Sequence, residues 1–159
     1  MIRPFRASDA GAVADLTLAA IRAIGPRAYS PAQVAVWAGR HPGPERFLDR
    51  VAKGDRILVA VDAGDVPVAY ALTEPNGHLD MLYCHPDHAG RGLGLALLEA
   101  AEAEAREGGL THLFTEVSEL ARPVFERAGY ALLHRRDFTI GEGDAAVAIH
   151  NYAMEKGLG

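Results

Sequence analysis

Three side chains in two short runs of the sequence could take up a proton from a substrate. In "HLDMLYC", His78 and Asp80 stand two residues apart. On a β-strand the even-numbered side chains of residues 78–84 would project to one face and the odd-numbered ones to the other, so these two would point together. Histidine titrates near neutral pH, and Asp80 could orient it or act itself. Glu116, in "LFTEVS", could reach the same cleft from a neighbouring strand or bind a substrate cation.

Each of these three residues also has a purely structural interpretation. His78 adjoins the turn "PNG" and could be a solvated surface histidine. Asp80 lies between Leu79 and Met81, where a carboxylate is costly unless it is paired or hydrated. Glu116 could cap a backbone group or form an ion pair. The residue types alone leave both interpretations open.

The run "HPDHAGRGLGLALLEA" places glycine at positions 90, 92 and 94, directly before a segment that is typical of a helix. A loop of this kind presents free backbone N–H groups at the positive end of the helix dipole, which is a site for an anion. A tight turn without a ligand is the alternative. The pattern is not a dinucleotide G-x-G-x-x-G, because Leu95 and Leu97 occupy the third-glycine positions, and it lacks the Gly-Lys-Ser/Thr ending of a P-loop.

Two further features raise the question of a metal or a covalent intermediate. His85 and His88 flank "PD" at positions i and i+3, but Pro86 breaks the strand there, so we expect no metal and a His85 that shapes the turn. Cys84 has no activating base in the sequence around it, and free cysteines are commonly buried apolar residues. The sequence therefore predicts neither a metal centre nor a nucleophilic cysteine.

The elements that would position these residues begin with three helices. "IRPFRASDAGAVADLTLAAIRAI" starts as a short strand, and Ser8 and Asp9 offer N-cap oxygens to a helix with apolar residues at helical spacing. Ser30 and Pro31 mark the start of a second helix. "PERFLDRVAKG" predicts a third helix, which ends at Gly54.

The apolar pattern then changes to a period of two. "RILVAVDAGDVPVAYALTEPNGHLDMLYCHP" contains three apolar runs separated by turn-forming segments, which predicts an antiparallel meander. The glycines lead into a helix of about four turns whose Leu93, Leu97 and Ala100 would face the core. A strand, a short helix in "ELARPVFERAG" and two final strands follow. We predict one α+β domain over residues 1–159, with a mixed, mostly antiparallel sheet of about seven strands and helices on both faces.

Composition limits the class of protein. The 159 residues carry a net charge of −5, and no apolar run approaches the ~20 residues that a membrane-spanning helix requires. The N-terminus lacks the apolar core of a signal peptide, no basic stripe suits nucleic acid, and the single Cys84 cannot form an internal disulfide. We expect a cytoplasmic protein with no nucleic-acid or membrane partner, whose charge mildly favours cationic small molecules.

Several spaced motifs resemble one known family. "LYCHPDHAGRGLGLALL" resembles the acyl-CoA motif of the Gcn5-related N-acetyltransferases (GNAT), which runs from a hydrophobic strand through His-Pro-Asp/Glu to Gln/Arg-x-x-Gly-x-Gly/Ala and a helix. "SELARPVFERAGY" is similar to the second signature of the family, and "NYAMEK" resembles the last strand in a subgroup. The resemblance spans residues 2–156 approximately, and it implies the GNAT fold.

This resemblance implies acetyl-CoA as co-substrate. In the family the loop amides wrap the pyrophosphate of CoA, and here the backbone from Gly90 to Leu95 would do so, with Arg91 adding charge. A strand N–H between Leu82 and Cys84 would polarise the acyl carbonyl. No metal is expected. The cofactor contacts implied by the resemblance are Leu82, Tyr83, Cys84, Ala89, Gly90, Arg91, Gly92, Leu93, Gly94, Leu95, Ser118 and Phe125.

Two positions depart from the family pattern. Ala89 stands where the family usually has Gln or Arg, which removes one side-chain contact and leaves the amides in place. Phe125 stands where many members carry the tyrosine that protonates the departing thiolate, which leaves the general acid unassigned. A thiol with a pKa of about 8.5 leaves tolerably as thiolate near neutral pH, so Phe125 does not argue against transfer.

By resemblance, acetyl passes directly from the thioester to a primary amine of a small molecule or peptide in a ternary complex. An alkylammonium with a pKa of about 10 must first lose a proton. Several members of the family place the base that accepts it at the start of the strand predicted for residues 78–84. His78, Asp80 and Glu116 are therefore the catalytic candidates. Tyr29 and Trp37 lie in the helical region that closes over the acceptor in the family and could form an aromatic pocket for a cation, although Trp37 also suits a packed helix face.

A non-catalytic acyl-CoA-binding or sensing domain is the alternative function, because it would keep the glycine loop and tolerate Ala89 and Phe125. Amine-dependent release of CoA from acetyl-CoA would separate the two. The acceptor and the acyl length are not fixed by any motif. Pairing of the late strands between two subunits would give a homodimer.

Overall fold

Seven strands and five α-helices make up the computed structural model, which describes all residues, 1–159. No helix combines the length and the apolarity needed to cross a bilayer. The helices are α1 (Ala10–Ile24), α2 (Pro31–Ala38), α3 (Glu45–Ala52), α4 (Leu93–Glu107) and α5 (Arg122–Arg127). The strands are β1 (Ile2–Pro4), β2 (Arg56–Val61), β3 (Pro67–Thr73), β4 (His78–Cys84), β5 (His112–Val117), β6 (Ala131–Ile140) and β7 (Val147–Gly157).

All seven strands belong to one sheet, in the order β1-β2-β3-β4-β5-β7-β6. Every neighbouring pair is antiparallel except β4 and β5, which are parallel because α4 carries the chain back between them. The predicted meander is β2-β3-β4. The prediction of a mixed, mostly antiparallel sheet of about seven strands is thereby confirmed.

Helices cover both faces of the sheet. On one face α4 and α5 bury Leu97, Leu98 and Phe125. On the other face α1 and α3 bury Leu16 and Phe47. Burial of these apolar side chains is the main force that holds the helices on the sheet. A third cluster joins α1 and α2 to β7 through Ile21, Tyr29, Val34, Ala38 and Ile149.

The helix starts follow the sequence signals only in part. Ser30 caps α2: its Oγ accepts a hydrogen bond from Gln33 N at 3.1 Å, and the Gln33 side chain accepts one from Ser30 N. Neither Ser8 nor Asp9 caps α1 through its side chain, so that prediction was wrong. The Asp9 carboxylate instead accepts hydrogen bonds from the Arg3 guanidinium and from Arg6 N, so it caps the short 3-10 turn that precedes α1 rather than α1 itself.

The buried stripe of α4 lies about one position further along the chain than predicted. Leu97 is fully buried as expected, whereas Leu93 and Ala100 are only partly buried. Leu93 is the first helical residue, so the open start of the helix leaves it partly uncovered. The other buried residues of α4 are Leu98, Ala101, Glu102 and Ala105.

A β-bulge interrupts β4. One step of β3, from Leu72 to Thr73, spans two steps of β4, so that Asp80 is an extra residue. Leu79 therefore packs beneath α4, while Met81 packs beneath α1. The prediction that the odd-numbered residues of this strand share one face was wrong, because strict alternation does not survive a bulge.

Candidate functional site

The glycine-rich segment forms a loop between β4 and α4. His85 Nδ1 accepts a hydrogen bond from Asp87 N at 3.1 Å, which forms the turn that leaves β4. Gly90 and Gly92 have φ values of 78° and 76°, a region that strains any residue with a side chain. A Cβ at either position would meet nothing within 4 Å. The backbone of the loop is therefore open on one side, where a ligand could approach it.

Six consecutive backbone N–H groups in this loop have no acceptor within the chain. The groups on either side, at Ala89 and Ala96, donate to backbone carbonyls, whereas none from residues 90–95 does. Arg91 brings a positive charge that no carboxylate neutralises, since its Nη1 contacts only His88 Nδ1, at 3.2 Å. Unpaired N–H groups at the start of a helix, with a cation beside them, can bind a phosphate group.

β4 and β5 separate directly after their first contacts. Their parallel ladder consists of two residue pairs, His78 with Phe114 and Leu79 with Thr115. Thr115 Oγ1 donates a hydrogen bond to the Leu79 carbonyl oxygen at 2.7 Å. Beyond this point the two strands diverge and border a wedge in the sheet. The wedge leaves β4 backbone groups available to a ligand.

A cavity of about 400 Å³ extends from this wedge toward α2 and β7. The glycine loop and Cys84 do not line it, and His78 lies just outside it. The residues singled out from the sequence that do line it are Asp80 and Glu116 among the proton-accepting candidates, Tyr29 and Trp37 among the acceptor contacts, and Leu82, Tyr83, Ser118 and Phe125 among the cofactor contacts.

His78 is held between two carboxylates behind the cavity wall. Its Nε2 lies 2.9 Å from Glu116 Oε1, and its Nδ1 contacts Glu74 Oε1. The bond to Glu116, together with that to Glu74, raises the pKa of His78 to about 9 in spite of its burial. His78 in turn lowers the pKa of Glu116. At neutral pH the pair is therefore an imidazolium and a carboxylate, with the carboxylate facing the cavity.

Asp80 is bound to Arg50 of α3. Arg50 Nη1 donates to Asp80 Oδ2 at 2.9 Å, and its Nε donates to Asp55. Arg50 Nη2 also lies 3.8 Å from Glu74 Oε1, so the guanidinium connects Asp80 to the carboxylate that contacts His78. His78 and Asp80 lie together as predicted, although the bulge at Asp80 breaks the strand alternation from which this was inferred. No pattern in the sequence indicated Glu74 or Arg50 as members of this network.

Glu74, His78 and Asp80 have potential ligand atoms within 4.8 Å of one another, which is close enough to share a metal ion. Both ring nitrogens of His78 already contact carboxylates, and Asp80 is bound to Arg50. A metal would have to displace a proton and a guanidinium from this cluster. The chain therefore satisfies these charges internally.

The other two candidates for metal or thiol chemistry lie at the end of β4. The rings of His85 and His88 are 6.1 Å apart, and His85 uses Nδ1 in the turn, the structural role expected for it. Cys84 is half-buried, and this burial raises the pKa of its thiol. A raised thiol pKa opposes formation of the nucleophilic thiolate.

Aromatic side chains form the wall of the cavity beneath α2. Trp37 Nε1 donates to Tyr83 Oη at 3.1 Å, and the rings of Tyr29 and Trp37 meet edge to face with centroids 5.6 Å apart. Tyr29 Oη accepts from Glu119 N at 2.9 Å and donates to the His150 carbonyl oxygen at 3.1 Å. Tyr29 therefore fixes the chain before α2 to the segment after β5 and to β7.

Basic side chains also line the cavity, and sequence reasoning missed them. Arg40, His41 and Arg46 come from the α2–α3 region, and Arg136 comes from β6. Burial, aided by the charge of Arg46, lowers the pKa of His41 to about 4, so His41 is neutral at physiological pH. Arg136 lies 90 or more positions from the other three, and the four residues follow no motif. Only the fold brings them to one cavity.

Comparisons with known proteins place the chain among acetyltransferases. The family model described as an acetyltransferase (GNAT) domain matches residues 26–139. The Escherichia coli (strain K12) protein described as an uncharacterized N-acetyltransferase, YafP, is 26% identical over 129 residues, which cover 81% of this chain and 79% of that protein. A GCN5-related N-acetyltransferase from Rhodopseudomonas palustris is 31% identical, with a TM-score of 0.88 over 99% of this chain and 94% of its own. The PaiA N-acetyltransferase from Thermoplasma acidophilum, solved with coenzyme A, is 17% identical, with a TM-score of 0.78 over 99% of this chain and 98% of its own.

Proposed function

The chain belongs to the GCN5-related N-acetyltransferase superfamily, and on that premise we propose that it transfers acetyl from acetyl-CoA to a primary amine of a small molecule or peptide. One observation carries the proposal: the wedge between β4 and β5 opens beside a strand that leads into six unpaired N–H groups. The wedge suits the extended arm of a thioester, and the loop suits a diphosphate. Coenzyme A contains both parts, and the Thermoplasma relative was solved with it.

The glycine loop is the diphosphate site in this proposal. The N–H groups of residues 90–95 would donate to phosphate oxygens, and Arg91 would add charge beside them. The open faces of Gly90 and Gly92 support this assignment, because they let a ligand reach the backbone. Ala89 and Cys84 would border the bound molecule. The arm would run along β4 past Leu82, Tyr83, Ser118 and Phe125.

Bound acetyl-CoA would supply the activated acetyl group, and the chain would stabilise the charge that develops during transfer. A backbone N–H between residues 82 and 84, beyond the last β4–β5 pair, would donate to the acyl oxygen. The amine nitrogen forms a bond to the carbonyl carbon, and the carbon–sulfur bond breaks in the same ternary complex. The sulfur departs as thiolate. The bound ammonium loses two protons in all: the first goes to the enzyme and gives the nucleophilic amine, and the second leaves the nitrogen for solvent as the amide forms.

We assign uptake of the first proton to Glu116 and His78 together. Glu116 lines the cavity, and His78 lies directly behind it at 2.9 Å. An ammonium bound at Glu116 would pass its proton through the carboxylate to neutral His78. With a pKa of about 9 for His78, only about 1% of the imidazole is neutral at pH 7, and that fraction rises tenfold per pH unit. Asp80, held by Arg50, would accept a second N–H of the amine.

Phe125 contributes shape rather than a proton. Its side chain is buried between the cavity and Tyr130, with ring centroids 5.0 Å apart. No hydroxyl is therefore presented where many family members carry a tyrosine. The thiolate would leave unprotonated. The ordinary pKa of a thiol is about 8.5, so about one free thiol in thirty is ionised even at pH 7, and the thiolate is a tolerable leaving group.

Amine-dependent acetyl transfer tests the proposal. An amine library is incubated with the protein and acetyl-CoA, and acetylated products are detected by mass, which avoids thiol-reactive dyes that Cys84 could consume. We expect at least one amine to be acetylated and to accelerate release of CoA. If acetyl-CoA shifts the amide resonances of residues 90–95 but no amine is acetylated, the chain is a binding or sensing domain. If those resonances do not move, the cofactor site is wrong as well.

Glu116→Gln tests the assignment of the base. The substitution keeps the hydrogen bond to His78 and removes the carboxylate charge, so we expect kcat to fall by about 10²-fold or more with little change in the KM for acetyl-CoA. Glu155→Gln, on β7 away from the cavity, is the matched control. An acceptor amine with a pKa near 7 distinguishes titration of the enzyme from titration of the substrate. With such an acceptor the rate should still rise toward pH 9, because the pKa of His78 is about 9. If Glu116→Gln retains the wild-type kcat, Glu116 is not part of the mechanism.

A further inference from the structure

The cavity contains three arginines that no carboxylate neutralises. Arg46 Nη1 contacts the Arg40 carbonyl oxygen and lies 3.2 Å from His41 Nδ1, both of them uncharged groups. Arg136 Nη1 donates to Asn151 Oδ1 at 3.1 Å. Arg40 has no hydrogen-bonding partner for its guanidinium. Elsewhere in the chain, arginines such as Arg3, Arg50 and Arg122 are bound to carboxylates.

The two acidic side chains of the cavity do not balance these arginines. Asp80 is paired with Arg50, and Glu116 is paired with protonated His78. The charge of Arg136 already contributes to the lowered pKa of Glu116. The cavity therefore carries a positive excess, although the whole chain has a net charge of −5.

The bound cofactor does not account for this excess. The diphosphate is assigned to residues 90–95 and Arg91, and none of these residues lines the cavity. Arg40, Arg46 and Arg136 lie instead in the part of the molecule that contains Asp80 and Glu116. Their charges thus act on whatever occupies the acceptor side of the wedge.

We propose that the acceptor is an amine that also carries an oxyanion, in practice an amino acid or an amino acid analogue. Its carboxylate, phosphonate or phosphinate would be bound by Arg46 with Arg40 and Arg136, and its amine would lie at Glu116. Guanidinium groups match such oxyanions in charge and in hydrogen-bond geometry. The apolar part of the acceptor would contact Trp37 and Phe138. This inference rests on the proposed acetyl transfer and specifies its substrate class; it also replaces the cationic acceptor expected from net charge.

Matched amine pairs test the inference. The pairs are phenylalanine with phenethylamine, leucine with isopentylamine, and 2-aminoethylphosphonate with ethylamine; the last separates phosphonate from carboxylate recognition. We expect kcat/KM for the anionic member to exceed that for its partner at least tenfold. Arg46→Gln and Arg136→Gln should each lower the ratio of kcat/KM between the anionic member and its partner about tenfold. Arg127→Gln, which removes an exposed arginine outside the cavity, should not change this ratio.

Three results would overturn the inference. One is a kcat/KM for the amines that lack an acid group that equals or exceeds that for their anionic partners. Another is an Arg46→Gln enzyme that loses affinity for acetyl-CoA rather than for the acceptor, since the arginines would then serve the cofactor. The third comes from calorimetry on the CoA-loaded protein, in which N-acetylphenylalanine binds no more tightly than its methyl ester. That measurement needs no turnover, so it decides the acceptor class even if acetyl transfer itself is not observed.

Discussion

Replacing His78 with glutamine should change how the stability of the protein depends on pH. Folding raises the pKa of this imidazole to about 9 from its ordinary 6.5, chiefly through the bond to Glu116. A raised pKa means that the folded state binds the proton more tightly than the unfolded state does. The stabilisation is therefore fully present below pH 6.5 and is lost as pH rises through about 9.

The size of the effect follows from that displacement. The full displacement would correspond to a few kcal/mol, but Glu74 and Glu116 are 35% and 31% exposed and solvent screens their charges. We expect His78→Gln to lower the free energy of unfolding by about 1–3 kcal/mol near pH 6 and by much less near pH 9.5. Some of the loss near pH 6 comes from Glu74 and Glu116, which lose the imidazolium that lies between them.

Urea unfolding of wild type and variant at several pH values between about 6 and 9.5 measures this difference. His112→Gln is the matched control, because it removes another imidazole that contacts a carboxylate, Glu155, on the exposed surface. Exposed ion pairs contribute at most about 1 kcal/mol, so this variant should follow the wild-type curve. Parallel pH curves for wild type and His78→Gln would refute the reasoning, because His78 would then carry no extra proton in the folded state.

Three further predictions concern single side chains. Tyr130→Phe should raise the free energy of unfolding by about 1 kcal/mol in urea titrations, because the buried Tyr130 hydroxyl has no hydrogen-bond partner; a loss of stability would indicate a partner. Gly92→Ala should cost about 1 kcal/mol of stability through its positive φ and should also weaken acetyl-CoA binding in calorimetry, whereas Gly143→Ala, with the same strain in an open turn, should leave binding intact. Phe125→Tyr should change kcat by less than about threefold in steady-state assays, because the thiolate leaves without help; a large gain would show that its protonation limits the wild-type rate.

Local signals in the sequence predicted the parts of the fold that depend on neighbouring residues. The glycines predicted the loop before α4, the period of two predicted β2-β3-β4, and Ser30 predicted the start of α2. The bulge at Asp80 was not predictable, because it depends on the pairing of β4 with β3 and leaves no mark in the apolar pattern. At α1, a 3-10 turn over residues 7–9 precedes the helix, and the Asp9 carboxylate caps that turn by accepting from Arg6 N while it also pairs with Arg3.

The candidate site likewise has some residues that local sequence signals predicted and others that only the fold brings together. His78 and Asp80 are close in the chain, and their spacing was enough to bring them together in the prediction. Arg46 and Arg136 are 90 positions apart and line the same cavity only because the fold brings α3 and β6 to it. A charge count over the whole chain averaged these arginines with distant carboxylates. It therefore indicated a cationic acceptor, the opposite of what the lining of the cavity favours.

The short ladder between β4 and β5 has a mechanical consequence. Only two residue pairs join β4 to β5, fewer than join any other neighbouring strands. The hydrogen bonds between these two strands therefore resist relative motion of the two halves of the sheet less than those between other neighbours do. A molecule bound in the gap would contact both halves and restrict their motion relative to each other. Deuterium uptake by β5 should therefore slow when acetyl-CoA is added, while uptake by β2, deep inside one half, should hardly change.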